Sequence, residues 1–294
     1  MLKFFKTKIL NLAYQESGPQ KGYPVILLHG WPDNFHTWDK LTPQLNQAGF
    51  RTFAVCLRGF FPTRFLDQKT PRSGSFSAMA ADILALAHGL KLKKFALIGH
   101  DWGARIAYSL SCIKGRPKIS SEVNLSAGWQ EGRRLSFKQS QSLWYQWLLG
   151  TKKGADLLFN HPQGLVKYLW QIWNPTDFQI SPNELSQVEK SFVNPDWARV
   201  SLHSYRVRWR FVQDDPRYKD FHQKIVFDPK INVPTLVIHG AKDTCNLPET
   251  SQGMENLFTG DIKQVVGTQV GHFPQRQEPK KVAQLAIDWI NLHK

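Results

Sequence analysis

The residues best placed to do chemistry lie in Gly99-His100-Asp101-Trp102-Gly103. An apolar run, Lys94-Phe95-Ala96-Leu97-Ile98, precedes them, and a small-residue helix opens at Ala104-Arg105-Ile106-Ala107. Strand, sharp turn and helix in immediate succession thrust the side chain at the apex into the open, the setting of a nucleophile elbow. The apex residue is an aspartate where a serine is the commoner choice. That limits the bond which can be broken. A serine displacing a leaving group at a saturated carbon would form an ether that water does not readily cleave. A carboxylate forms an ester, which a histidine-activated water can hydrolyse. Asp101 therefore points to attack on an sp3 carbon, such as an epoxide or halide carbon, rather than to acyl transfer.

A turn of this kind needs a rigid frame, and the surrounding pattern supplies one. Short β-rich runs recur at Val25–His29, Arg51–Leu57, Phe95–Ile98, Glu122–Ser126, Thr235–His239 and Lys263–Val266. Between them the pattern predicts helices at Trp38–Gln47, Phe76–Leu90, Ala104–Cys112, Pro248–Phe258 and Pro279–Leu292. Continuous apolar strands alternating with amphipathic helices indicate an α/β fold, with a mainly parallel sheet and helices on both faces. Phe4–Tyr14 alternates more strictly and reads as an antiparallel edge hairpin. The rhythm stops after Ser126 and returns after Val233-Pro234. Residues 128–214 are helical and aromatic in pattern, holding seven of the eleven tryptophans. We read 1–127 and 215–294 as two parts of one core and 128–214 as an inserted helical cap. The tryptophans serve either as packing or as the roof of an apolar pocket.

Bulk properties narrow the function classes. At 294 residues, 41% hydrophobic, the chain can build one large core with an insertion. No apolar run reaches the ~20 residues of a membrane span, and the basic N-terminus lacks a signal peptide's apolar region. Three scattered cysteines, Cys56, Cys112 and Cys245, form no CxxC pair, which suggests reduced thiols in a cytoplasmic setting. The net charge of +15 is dispersed; its densest cluster is Lys91, Lys93 and Lys94, and no nucleic-acid motif accompanies it. The expectation is a soluble cytoplasmic protein with neither nucleic acid nor membrane as partner, and of unassigned oligomeric state.

Two further segments complete a constellation: Leu28-His29-Gly30-Trp31-Pro32-Asp33 and Gly271-His272-Phe273. Together with the aspartate elbow they give the chain a pattern that resembles the α/β-hydrolase family. Within it the chain is most similar to the epoxide hydrolase and haloalkane dehalogenase branch, and to epoxide hydrolases in particular. The resemblance covers nearly the whole chain in order: His-Gly-x-Pro loop, elbow, helical insertion, Gly-x-x-Asp after a late strand, terminal histidine. It implies the α/β-hydrolase fold and assigns roles. The backbone N–H groups of Trp31 and Trp102 would form an oxyanion hole. His29 would brace its loop. His272 stands in the terminal-histidine slot as general base, oriented by Asp243 in His239-Gly240-Ala241-Lys242-Asp243. The bland alternative for Asp243 is a turn residue capping a helix. Some members carry the acid after an earlier strand, but here Asn124-Leu125-Ser126-Ala127-Gly128 holds no carboxylate until Glu131.

Tyr145-Gln146 and Tyr205-Arg206 resemble the two tyrosines with which epoxide hydrolases hold and protonate the ring oxygen; the alternative is aromatic packing. The chain also departs from its relatives' patterns. Trp31 stands where haloalkane dehalogenases commonly carry asparagine, although Trp102 matches their second halide donor. Fluoroacetate dehalogenases carry two arginines after the nucleophile. Arg105 matches the second, with a surface or salt-bridge role as its alternative, and Trp102 replaces the first. Cys56-Leu57-Arg58-Gly59-Phe60 lacks the usual acid before Arg-Gly, in a loop expected to be structural. The expected reaction is hydrolysis of an apolar epoxide to a vicinal diol through an ester on Asp101, with no cofactor and no metal. Trp31, Trp102, Tyr145 and Tyr205 would line the substrate. The nearest alternative is a haloalkane or haloacid dehalogenase using the same aspartate on a halide substrate. An alternative of another class is a non-catalytic ligand-binding protein on this scaffold, and its signature would be a missing triad member.

Overall fold

The computed structural model describes residues 1–113, 116–129, 134–227, 230–267 and 269–294. Its strands are β1 (Leu2–Lys6), β2 (Leu10–Ser17), β3 (Tyr23–Leu28), β4 (Phe50–Val55), β5 (Arg64–Phe65), β6 (Lys94–His100), β7 (Lys118–Leu125), β8 (Thr235–Gly240) and β9 (Ile262–Gly267). They form one sheet in the order β1-β2-β4-β3-β6-β7-β8-β9, with β5 pairing onto β2. From β4 to β9 every neighbour is parallel, whereas β1 and β2 run antiparallel, with Leu2 opposite Gln15 and Lys6 opposite Asn11. The apolar runs explain this. Val25–Leu28 and Phe95–Ile98 are buried throughout, as central parallel strands must be. β1, at the edge, is exposed apart from half-buried Phe5.

The first helices are α1 (Thr42–Gln47), α2 (Phe76–Gly89) and α3 (Trp102–Ser111). Between β7 and β8 lie α4 (Phe137–Ser142), α5 (Trp144–Gly150), α6 (Lys152–Asn160), α7 (Pro162–Ile172), α8 (Pro182–Glu189), α9 (Asp196–Arg208) and α10 (Lys219–Phe227). After β9 come α11 (Pro274–Gln277) and α12 (Pro279–His293). α3 lies on β3, β6 and β7 with α2 beside it, while α12 lies on β7 and β8 with α1 beside it. The chain thus has the α/β-hydrolase architecture that its sequence pattern predicts.

Two expected helices differ. Trp38–Gln47 is a 3-10 turn, Phe35–Trp38, followed by α1. Pro43 occupies the first turn of α1, where its missing N–H removes no bond, so the helix starts afresh there rather than running through. Pro248–Phe258 is two 3-10 turns, Pro248–Ser251 and Glu255–Leu257, separated by extended Gln252 and by Gly253 at φ 64°. A left-handed glycine interrupts helical hydrogen bonding. Glu131 lies outside the described residues.

Candidate active site

The elbow is built from crowding at its two ends. Asp101 follows β6 directly and caps α3 with φ 50° and ψ −107°, a conformation uncommon for a residue with a side chain. Its N–H donates to the Leu125 carbonyl at 3.1 Å, and its carbonyl accepts from Arg105 N–H at 3.1 Å, so the turn is tied both to the sheet and to the helix. Only glycine fits at 103, because a Cβ there would overlap the Leu28 carbonyl. α3 therefore lies close on β3, with its N-terminus directed at the Asp101 carboxylate, where the helix dipole favours negative charge.

The loop after β3 closes over the same side chain. Trp31 N–H donates to Asp101 Oδ1 at 3.0 Å. A Cβ on Gly30 would come within 2.6 Å of Asp101 Cβ, so glycine is what allows this approach. Trp102 N–H is the first amide of α3 and has no acceptor within the helix. His29 does brace the loop: Leu57 N–H donates to its Nε2 at 3.1 Å, and its Nδ1 lies 2.9 Å from the Gly30 carbonyl. Burial holds His29 down to about 4, so it is neutral there.

His272 comes from the loop after β9. Its N–H donates to Asn174 Oδ1 and to the Trp173 carbonyl, each at 3.1 Å, and its carbonyl accepts from His100 Nε2 at 2.8 Å. The imidazole Nδ1 donates to Asp243 Oδ2 at 2.9 Å, which directs Nε2 to a point 4.0 Å from Asp101 Oδ2. Nε2 is buried without a hydrogen-bond partner among the described residues. Asp243 Oδ1 accepts the N–H groups of Cys245 (2.8 Å) and Asn246 (3.0 Å). Burial opposes ionisation of Asp243, but His272 and His239 outweigh it and hold the carboxyl down to about 2. Burial likewise opposes charge on His272, yet the adjacent Asp243 carboxylate raises its pKa well above the ordinary 6.5. Asp243 is thus no mere capping residue.

Tyr145 on α5 and Tyr205 on α9 face this pair from the helical segment. Both are buried, and their rings meet edge to face at 5.6 Å. Trp31 stacks on Tyr145 at 5.7 Å and meets Tyr205 edge-on at 5.2 Å, while Trp102 lies 5.6 Å from Tyr205. Burial pushes both phenols well above 10, with the charge on Asp101 adding to the rise in each. Both remain protonated at neutral pH. The Tyr145 hydroxyl accepts from Gln146 Nε2 at 2.8 Å, and Gln146 Oε1 accepts from Trp209 Nε1 at 3.0 Å. An indole N–H can only donate, so the Gln146 amide has one orientation and the Tyr145 hydroxyl accepts from it, with Cys245 Sγ 3.7 Å from the same hydroxyl. The structure brings all seven expected site residues into one buried cluster.

A family model described as the alpha/beta hydrolase fold matches residues 23–279. The chain belongs to the α/β-hydrolase family. This hydrolase is related to epoxide hydrolases. A crystal structure from Klebsiella pneumoniae subsp. pneumoniae MGH 78578, described as a candidate epoxide hydrolase, is 30% identical. It has a TM-score of 0.92 and covers 99% of this chain and 97% of its own. Epoxide hydrolase 3 of Mus musculus is 23% identical over 95% of this chain and 73% of its own length. Some curated matches are local. A soluble epoxide hydrolase of Corynebacterium sp. (strain C12) is 38% identical over 30% of this chain, and the chain spans only 29% of that relative's length. Potato epoxide hydrolase I, 19% identical with a TM-score of 0.77, shares the fold over 99% of each chain.

Packing around the hydrolase's site adds contacts that sequence alone does not place. Arg105, one turn into α3, is buried rather than at the surface, and its Nη2 donates to Asn246 Oδ1 at 3.3 Å. Asn246 also reaches Asp101, and only its spacing three residues past Asp243 could have flagged it. Arg58 pairs with buried Asp82 at 2.6 and 2.7 Å, so its loop is structural as expected. Arg276 on α11 joins Asp33 of the β3 loop at 2.6 Å to Glu184 of α8 at 3.2 Å, which ties core to insertion. Among the described residues no helix is long and apolar enough to cross a membrane.

Proposed function

We propose that this hydrolase opens an epoxide to a vicinal diol through an alkyl ester on Asp101. The observation that carries the reading is the pairing of two buried, protonated tyrosines with a carboxylate at the elbow. Residues 128–214 act as the cap that supplies those tyrosines, and the substrate is a small apolar epoxide together with water. Oδ1 of Asp101 rests against the Trp31 amide, so Oδ2 is the attacking oxygen. It bonds to a ring carbon while the ring C–O bond breaks, and Tyr145 or Tyr205 gives the oxygen its proton. His272 Nε2 then takes a proton from water, and the hydroxide adds to Asp101 Cγ. Negative charge gathers on Oδ1, where the Trp31 and Trp102 amides receive it. The Cγ–Oδ2 bond breaks, and the departing alkoxide takes the proton back from His272. The regenerated carboxyl loses its proton to the waiting tyrosinate.

A halide substrate on the same aspartate is the second reading, and one observation weighs against it. The Trp31 indole Nε1 already donates to Ser201 Oγ at 2.9 Å, so it is not available as a partner to Trp102 around a halide. The binding-only reading would need a missing triad member, and Asp101, His272 and Asp243 are all in place.

His272→Gln tests the scheme. With styrene oxide or a long-chain terminal alkyl epoxide, the variant should accumulate protein heavier by one substrate mass, located on Asp101 by peptide mapping. Halide release is measured beside it with a matched haloalkane panel. An unmodified variant after prolonged incubation, or halide release exceeding diol formation in the wild type, contradicts the reading.

A further inference from the structure

The carboxamide of Asn246 meets the attacking oxygen, Oδ2, while the Trp31 amide holds Oδ1. Its Nδ2 lies 3.4 Å from Asp101 Oδ2 and 2.9 Å from the Ser126 carbonyl, and its Oδ1 accepts from Arg105 Nη2 at 3.3 Å. The amide has one chemically consistent orientation. A guanidinium only donates, and a carboxylate and a carbonyl only accept, so the two amide hydrogens must point at Asp101 and Ser126. The backbone of Asn246 is fixed as well. Its N–H donates to Asp243 Oδ1 at 3.0 Å, and its carbonyl accepts from His239 Nε2 at 2.7 Å. One residue therefore touches both carboxylates of the constellation.

We propose that Asn246 is a further catalytic donor that acts on the second half of the reaction by stabilising the departing oxygen. The inference rests on the ester mechanism proposed above. During alkylation Oδ2 loses negative charge to the new C–O bond, so a donor already bound to it gives no advantage to that step. During hydrolysis the opposite holds. The Cγ–Oδ2 bond breaks, Oδ2 leaves as the alkoxide of the diol, and charge grows on the atom facing the Asn246 N–H. A donor that strengthens as charge develops lowers the barrier. Arg105, hydrogen-bonded to the amide oxygen, polarises the same N–H toward Oδ2.

The test is a split between the two half-reactions. Asn246→Ala should lower kcat by about 100-fold, the lower end of the range for loss of one donor to a developing oxyanion. Because kcat/KM reports steps through alkylation, it should stay within about threefold, so that KM falls with kcat. The ester adduct should then build up during turnover of styrene oxide. Arg105→Gln, which keeps the Asn246 donor but removes its polarising partner, should move the same quantities in the same direction by less. It stands as the deciding variant if Asn246→Ala does not fold. An unchanged kcat overturns the proposal, and so does a fall in kcat/KM without adduct, the mark of a merely structural role. His272→Gln separates this failure from that of the ester mechanism. Adduct in His272→Gln but none in the Asn246 and Arg105 variants sinks the Asn246 role alone, whereas no adduct in any variant sinks both.

Discussion

The two walls of the site are held in different ways. On the sheet side, Asp101, Trp31, His272 and Asp243 are fixed by the backbone: strand ends, a helix N-terminus and amide hydrogen bonds at 2.8–3.1 Å. On the helical side, Tyr145 and Tyr205 are fixed mainly by ring packing on Trp31, Trp102 and each other at 5.2–5.7 Å, with one side-chain donor, Gln146 Nε2, on the Tyr145 hydroxyl. The proposed mechanism needs charge to be met at defined points in both half-reactions, and the sheet side offers those points with little freedom. In the proposed mechanism the helical side only has to place two donors over a ring oxygen whose position varies with the substrate. Precision resides in the sheet, tolerance in the insertion.

That contrast can be broken where it is strongest. Gly30→Ala forces a Cβ into Asp101 and displaces the amide cradle. Activity should drop by at least about 100-fold, since a displacement near 1 Å at a reacting centre has that effect. Far-UV circular dichroism should remain unchanged. Retained activity would show that the cradle is not needed. Tyr145→Phe and Tyr205→Phe should each lower kcat/KM for an epoxide by about 10- to 100-fold, with the double variant lower still. The same variants should still release halide from any haloalkane the protein accepts. Equal losses on both substrate types would mean that the tyrosines only pack.

The pH dependence sharpens the contrast with a smaller effect. In the proposed scheme, hydrolysis of the ester needs neutral His272, whose pKa is raised by Asp243. The rate of that step should therefore rise with pH through a midpoint above 6.5. Both tyrosines are pushed well above 10, so no alkaline fall from their ionisation should appear below that pH. An acid limb centred below 6.5 would contradict the Asp243–His272 pairing.

Much of this was legible in the chain itself because the sheet side is encoded locally. Gly99–Gly103 fixes a strand, a turn and a helix within a few residues, and His272 and Asp243 follow strand runs whose burial leaves little choice of place. The insertion was legible only as a loss of strand rhythm and a run of tryptophans. Which way Gln146 points, and that Asn246 and Arg105 meet behind Asp101, depends on packing between segments far apart in sequence. The region 248–258 was misread because an amphipathic spacing looks helical while Gly253 takes a left-handed conformation that composition alone does not announce. Arg105 was left between alternatives for a related reason: an arginine one turn into a helix is ordinarily exposed, and here it is buried and meets Asn246.

The central claim is that Asp101 is transiently alkylated and then freed by water. A single turnover in heavy-oxygen water, with enzyme in excess over epoxide, tests it most directly. The account predicts ordinary oxygen in the new hydroxyl of the diol and heavy oxygen in the Asp101 side chain afterwards. Heavy oxygen in the diol on that first turnover, with Asp101 unlabelled, would mean that water attacks the epoxide itself.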